Sequence, residues 1–377
     1  MITIIADDKI PFLKGALEPW ASIRYMNGRE IDHSAVEHAD ALLIRTRTRC
    51  DEDLLHGSQV KFIATATIGF EHINTDYCDN HAIAWTNAPG CNAASVQQYI
   101  ASVLATLALR HDFSLRGKTL GIIGVGHVGK KVETLGRLLG MKVLLNDPPR
   151  WRMEGNGGFV SLARLLEESE IITLHVPLNR TGEDKTAHLI NKDTLGRIKP
   201  GAWLINSSRG EVVESHALQS ALSEGRLSGA ALDVWENEPV VDPQLLDKVT
   251  LATTHIAGYS ADGKRNGTVQ VVRSLGAHFN LPVTSWDVSG LPEPSDLAII
   301  TDCLDQSLEK LVCKAILHTY DVIEDDVRFR TNPLDFEWLR GNYPVRREFP
   351  AYKIMLMNGS AEAKAMFLAL GFQVVEI

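Results

Sequence analysis

A chain of 377 residues is too long for one simple core, so two or three domains are expected. Hydrophobic residues at 45% and charged residues at 23% are ordinary for a globular enzyme. A net charge of −9 argues against a nucleic-acid or anionic-membrane surface, while leaving room for a local basic pocket. No apolar run reaches the roughly 18 residues a membrane span needs. The start, "MITIIADDKI", reads as a strand and lacks the basic and long apolar segments of a signal peptide, so a cytoplasmic protein is expected. The five cysteines, Cys50, Cys78, Cys91, Cys303 and Cys313, are scattered without CxxC spacing and read as reduced structural thiols. Neither a disulfide framework nor a metal site is expected from them.

In residues 1–100, "ITIIAD", "ADALLIR" and "KFIATATIG" read as strands. A long apolar helix, about "AASVQQYIASVLATLALR", leads into a central region. There "TLGIIGV", "MKVLLND", "IITLHVPL", "AWLINSS", "GAALDVW" and "VTLATTH" alternate with amphipathic segments such as "KKVETLGRLLG" and "SLARLLEESE". Strand and helix in regular alternation is the pattern of a doubly wound parallel sheet. A helix around "GKRNGTVQVVRSLGAHF" returns the chain to the first lobe, so the chain crosses twice and a cleft is expected between the lobes. After a Pro-rich link, "SGLPEPSD", the segments "YKIMLMN", "SAEAKAMFLALG" and "FQVVEI" read as strand, helix, strand. The expected fold is α/β, with two Rossmann-like or flavodoxin-like lobes and a small C-terminal α+β module. The first lobe takes 1–100 completed by 257–285, the second 101–256, and the module 286–377.

"GIIGVGHVGKK" carries Gly124, Gly126 and Gly129 in GxGxxG spacing, with His127 and Val128 between them. The pattern is weak alone; here it follows a β-branched strand and opens a helix. Gly124 permits the tight turn, Gly126 admits a pyrophosphate close to the backbone, and Gly129 lets helix and strand approach. The free N–H groups of the helix start then face the phosphates. Asp147, ending the next strand, would accept from ribose hydroxyls and repel a 2′-phosphate, which favours NAD over NADP. Arg150 and Arg152 downstream could soften that preference.

Three polar residues stand where later strands give out: Arg209 after "LINSS", Glu238 in "DVWENEP" and His255 ending "LATTH". Ligands bind outside the carboxyl ends of strands in such sheets. Transfer of a hydride from an alcohol to nicotinamide needs the hydroxyl proton removed, which suits a histidine. A carboxylate beside it would stabilise the imidazolium, and an arginine can grip a substrate carboxylate and polarise the developing carbonyl. Asp233, in "GAALDVW", has two readings: it orients the nicotinamide carboxamide, or it is a buried aspartate satisfied by backbone N–H groups.

With "GIIGVGHVG", "LHVPLNRTGEDKTAHLI", "LINSSRGEVV", "ALDVWENEP" and "THIAG" in that order, the chain resembles the D-isomer-specific 2-hydroxyacid dehydrogenases over about residues 1–285. The resemblance implies an NAD-dependent oxidation of a D-2-hydroxy acid, or the reverse, with Arg209, Glu238 and His255 as the catalytic set. "TATIGFEHI", "APGCN", "LNDPPR", "HIAGYSADGK" and the tail "FEWLRGNYPVRREF" are similar to one branch of that family, acting on a phosphorylated four-carbon acid as a homodimer through the C-terminal module. That likeness implies substrate contacts at Thr46, Thr67 and Tyr259. It implies cofactor contacts at Asp147, Val176, the turn Ser207, Ser208 and Arg209, and also Asp233 and Gly258. Val176 stands where the family often has a hydroxyl, so contact there is through backbone or packing. Arg45, Arg47 and Arg49 alternate in "LLIRTRTRC" and would share one face if that segment stays extended, which suits a phosphate and equally a solvated strand edge. Arg346 and Arg347 are further candidates for a phosphate, reaching it across a dimer interface. The alternatives are a glyoxylate, hydroxypyruvate or phosphoglycerate type of dehydrogenase, and an NAD-sensing scaffold, against which the intact Arg, Glu, His set argues.

Overall fold

In the computed structural model, which describes residues 1–377 except 112, 113, 156 and 305, the β-branched runs become strands of parallel sheets. The chain divides into two compact units, Met1–Asn92 with Ser260–Pro292, and Ala93–Tyr259 with Glu293–Ile377.

The first unit holds β1 (Ile2–Asp7), β2 (Ala21–Met26), β3 (Ala41–Ile44), β4 (Phe62–Thr65) and β5 (Ala84–Thr86), in the order β2-β1-β3-β4-β5. β3 and β4 are buried along their whole length, as strands covered on both faces should be. The helix Ala261–Phe279 starts where Ser260 Oγ accepts from Gly263 N, and buries Val271, Val272 and Leu275 against β1, β3 and β4. The strand order reverses between β1 and β3, which is where a doubly wound sheet opens its ligand crevice.

The second unit holds β6 (Thr119–Ile123), β7 (Lys142–Asn146), β8 (Ile171–Leu174), β9 (Ala202–Asn206), β10 (Leu227–Leu232) and β11 (Leu251–Ala252), ordered β11-β10-β9-β8-β6-β7. A single parallel bridge, Leu145 to Phe159, adds a rudimentary strand outside β7. With it, the order becomes that of a dinucleotide-binding sheet, and the reversal falls between β6 and β8. The helix Ala93–His111 is largely apolar and accordingly buried from Ala93 to Ala108 at every position but Ala94 and Gln97.

The third sheet, β12 (Ala298–Asp302), β13 (Lys353–Met357) and β14 (Gln373–Glu376), is parallel and small. Everything from Glu293 onward groups with Ala93–Tyr259 in the second unit. The reason is shared core. The helix Leu308–Thr319 lies along Ala93–His111, and Val322–Thr331 lies on β11. Phe329 and Phe336 are fully buried in the same cluster as Ile123, Leu174 and Trp235. The Phe329 ring sits edge-on to Trp235 at 5.8 Å and to Phe336 at 5.7 Å. Phe329→Ala is therefore expected to destabilise the second unit as a whole by about 3–5 kcal/mol. Denaturant unfolding checks this: a local transition of the C-terminal segment, with the rest melting as before, would contradict it.

Candidate active site

β6 runs into Gly124, whose φ of 87° is the left-handed turn that glycine adopts without cost. A Cβ on Gly124 would lie 2.5 Å from the His175 carbonyl oxygen, and one on Gly129 2.1 Å from the Gly124 carbonyl oxygen. Packing thus accounts for those two glycines. It does not account for Gly126, which has an ordinary φ of −76° and open space where a side chain would stand. Gly126 and His127 are exposed at the start of the helix His127–Leu138, with Val128 half-buried behind them. A glycine that the protein itself does not need fits the close approach of a pyrophosphate. Val176, packed against Gly124, lines the turn through its side chain.

Asp147 closes this turn from the other side. Its Oδ2 accepts from Val125 N at 2.8 Å and its Oδ1 from Arg150 N at 3.0 Å, capping the next helix. Arg150 is committed to the Val125 carbonyl and to Glu154, and Arg152 pairs with Glu183 and Asp184. Both arginines already have carboxylate partners, so neither is set up for a 2′-phosphate.

The remaining candidates stand on three neighbouring strand ends. After β9, Asn206 Oδ1 accepts from the N–H and the hydroxyl of Ser208, and Asn206 Nδ2 donates to the Arg209 carbonyl. Arg209 is half-buried with its Nη1 on the Ser208 carbonyl, while Ser207 Oγ is buried without a partner. After β10, Asp233 is 1% exposed. Its carboxylate accepts from Thr253 Oγ1, Ile256 N and Ala257 N at 2.7–2.9 Å. Of the two readings open for Asp233, these contacts belong to the backbone-satisfied one. His255 N also donates to the Asp233 carbonyl, which ties both ends of that residue to the segment after β11.

His255 itself has a φ of 56°, a left-handed conformation that an L-residue keeps only where its surroundings enforce it. Its Nδ1 lies 2.5 Å from Glu238 Oε1, and Nε2 has no protein partner among the described residues. Burial alone would push the Glu238 carboxyl up. The hydrogen bond and charge of His255, with the charge of Arg340 nearby, outweigh that and hold it below the usual carboxylate range. The pair is thus an ionised carboxylate fixed to one ring nitrogen, with the other nitrogen free to exchange a proton.

Gly258 and Tyr259 follow, half-buried, and the Tyr259 ring meets Tyr343 edge-on at 5.9 Å and the Arg340 guanidinium at 5.8 Å. In the first unit, Thr46 is exposed and Arg45 half-buried just beyond β3, at the sheet's order reversal. The arginine row is not extended: β3 stops at Ile44, and Thr48 N closes a turn onto the Arg45 carbonyl. Arg45 Nη1 bonds the Lys9 carbonyl and Arg49 pairs with Asp51, so the three do not form one face. Thr67 Oγ1, in the loop after β4, donates to the Gly69 carbonyl. Arg346 is corrected outright, being 5% exposed and bonded within its own chain to Ser95 Oγ and the Ala257 carbonyl. Arg347 is half-buried and its carbonyl accepts from Gln98. Asn206 and Arg340 were missed. A polar residue ending the apolar strand "AWLIN" is a usable signal for Asn206, whereas nothing local in "FEWLRGNY" links Arg340 to Glu238.

Residues 96–257 match the NAD-binding domain of the D-isomer specific 2-hydroxyacid dehydrogenases, and 294–371 match a domain of unknown function, DUF3410. The chain is 48% identical to an erythronate-4-phosphate dehydrogenase of Bacteroides fragilis, over 94% of this chain and 99% of that protein. It is 40% identical to one from Pseudomonas aeruginosa, over 99% of this chain and 100% of that protein. Among solved structures, a D-lactate dehydrogenase from Aquifex aeolicus, complexed with NAD and lactic acid, is 28% identical with a TM-score of 0.60. It covers 77% of this chain and 100% of its own. NAD is the cofactor.

Gly126→Ala and Gly129→Ala separate packing from ligand contact. The first is expected to leave the melting temperature unchanged while weakening NADH binding by about ten-fold or more. The second should lower both, because its methyl meets the Gly124 carbonyl. Thermal melting and NADH fluorescence titration check this, and a Gly126→Ala variant with unchanged affinity would exclude the pyrophosphate from that turn.

Proposed function

The chain belongs to the erythronate-4-phosphate dehydrogenase family, a branch of the D-isomer-specific 2-hydroxyacid dehydrogenases, and from that premise we propose its reaction. The enzyme, an NAD-dependent dehydrogenase, oxidises C2 of 4-phospho-D-erythronate to give 3-hydroxy-2-oxo-4-phosphooxybutanoate, a step toward pyridoxal 5′-phosphate. The observation that carries this reading is the 2.5 Å contact between His255 Nδ1 and Glu238, which leaves Nε2 for the substrate.

Arg209 grips the C1 carboxylate and polarises the C2 oxygen as it becomes a carbonyl. His255 Nε2 takes the C2 hydroxyl proton, and the ionised Glu238 stabilises the imidazolium that results. NAD⁺, when bound at the glycine turn, would be the two-electron oxidant that accepts the C2 hydrogen as hydride, while the hydroxyl proton goes to His255. Gly124, Gly126, His127, Val128 and Gly129 would hold its phosphates and Asp147 its ribose, with Val176, Ser207, Ser208, Asp233 and Gly258 as the further residues that would meet it. Thr46, Thr67, Tyr259, Arg45 and Arg347 contact the substrate. The protein works in the cytoplasm as a homodimer through its C-terminal sheet. What supports that assembly is an apolar row in register across the outer face, Ile300, Met355 and Val375, with Ile300 73% exposed.

Purified protein given NAD⁺, a 2-oxo acid acceptor and a panel of D-2-hydroxy acids is expected to turn over 4-phospho-D-erythronate far faster than D-3-phosphoglycerate. It should sediment as two chains. Preference for an unphosphorylated acid would keep the family and discard this substrate. Glu238→Gln is expected to lower kcat and to move the acid limb of the kcat/KM profile toward lower pH. The amide no longer stabilises the protonated ring, so the base stays deprotonated to more acidic pH. An unmoved limb would dissolve the pairing.

A further inference from the structure

The C-terminal segment touches the stretch bearing His255 at several points. Asp326 Oδ1 accepts from Ala252 N at 2.7 Å, while Arg330 binds Asp326 and the Leu246 and Val249 carbonyls. Tyr343 meets Tyr259, and Phe329 meets Trp235, whose N–H points at Glu238 Oε2. Most telling is Arg346. Its Nη2 donates to the Ala257 carbonyl at 2.6 Å and to Ser95 Oγ at 2.5 Å, and Ser95 Oγ itself donates to the same carbonyl at 3.1 Å.

Arg346 is an expensive residue in that place. It is 5% exposed, forms no ion pair among the described residues, and leaves Nε and Nη1 without hydrogen-bond partners. The face of the Tyr320 ring, 4.4 Å from the guanidinium carbon, offsets part of the burial. A buried charge so poorly satisfied calls for a reason in what it holds. What it holds is one residue, through the peptide groups on either side of it: the Ala257 N–H is taken by Asp233 Oδ2 and the Ala257 carbonyl by Arg346. With both ends of Ala257 fixed, the chain cannot relax out of the left-handed turn at His255, two residues upstream.

We propose that the C-terminal segment clamps the catalytic loop within its own chain, and that Arg346 is the positioning residue of that clamp. The segment that matches a domain of unknown function thereby acquires an intramolecular role separate from assembly. The inference rests on His255 being the proton acceptor. A loop freed at Ala257 lets the imidazole leave Glu238, and small misplacements of this kind cost about ten-fold to a hundred-fold in turnover.

The test uses the full-length protein and NADH absorbance. Arg346→Met is expected to lower kcat by about ten-fold or more, with NADH affinity within about two-fold of wild type and the solution mass unchanged. The acid limb of its kcat/KM profile should move toward lower pH, and the NMR titration of the His255 ring should move with it. Arg346→Lys, which keeps a donor for the Ala257 carbonyl, should recover part of kcat. A folded Arg346→Met with wild-type kcat and titration overturns the clamp, as does one whose kcat falls only together with dissociation of the assembly. If Arg346→Met does not fold, Ser95→Ala decides. A loss of about three-fold or more in kcat at unchanged NADH affinity supports the clamp, and an unchanged kcat overturns it. The His255 titration also separates the two readings. Wild-type protein that oxidises none of the acids defeats the proposed substrate, while a titration unmoved by Arg346→Met and Ser95→Ala defeats the clamp.

Discussion

A single buried carboxylate organises the strand ends that carry Arg209 and His255. Asp233 is out of water, and a charge there is tolerable only because three donors converge on it. Two of those donors are backbone N–H groups just past His255, and the third is Thr253 just before it. The same residue lends its own N–H to Asn206 and its carbonyl to His255 N. The ends of β9, β10 and β11 are therefore joined through one residue, its backbone reaching Asn206 and its carboxylate the segment around His255. Glu238 is then fixed to His255 and to the Trp235 backbone N–H, so the Glu238–His255 pair stands on backbone that Asp233 already holds.

Much of this was legible in the residues, where local rules and the global fold agree. β-Branched runs, a glycine turn between strand and helix, and polar residues at strand ends all report short-range constraints. β2 and β5 were not read: the edge strand "ASIRYM" is buried firmly only at Ala21, and "AWT" is three residues long. The arginines after "ALLI" share one face only if the strand continues past Ile44, a condition that the sequence does not decide; Thr48 Oγ1 bonds the Gly28 carbonyl instead. Asp233 could be read two ways, since the N–H groups that claim it lie across a loop whose course no periodicity reveals. The reach of the C-terminal segment was the least legible feature. Its contacts join residues more than two hundred positions apart, such as Arg346 and Ser95 with |i−j| of 251.

One signal of that reach was nonetheless present. The helix Ala93–His111 is largely apolar, but Ser95, Gln98 and Ser102 interrupt it and are fully buried. Polar side chains inside an apolar helix need partners. Each finds one in the C-terminal segment: Arg346 at Ser95, Thr319 and the Arg347 carbonyl at Gln98, and the Val322 N–H at Ser102. The positions that looked anomalous for a buried helix are its docking points.

That seam also constrains how the molecule can vary over time. Gln98 and Thr319, or Ser95 and Arg346, answer each other chemically across a buried boundary, so neither member of a pair drifts freely while the other stays. A tail borrowed from a distant relative would arrive with donors and acceptors cut for a different helix, and the mismatch would be felt at Ala257, where Arg346 and Ser95 meet the histidine's loop. The two stretches of chain are therefore inherited as a matched set, although they lie at opposite ends of the second unit's sequence.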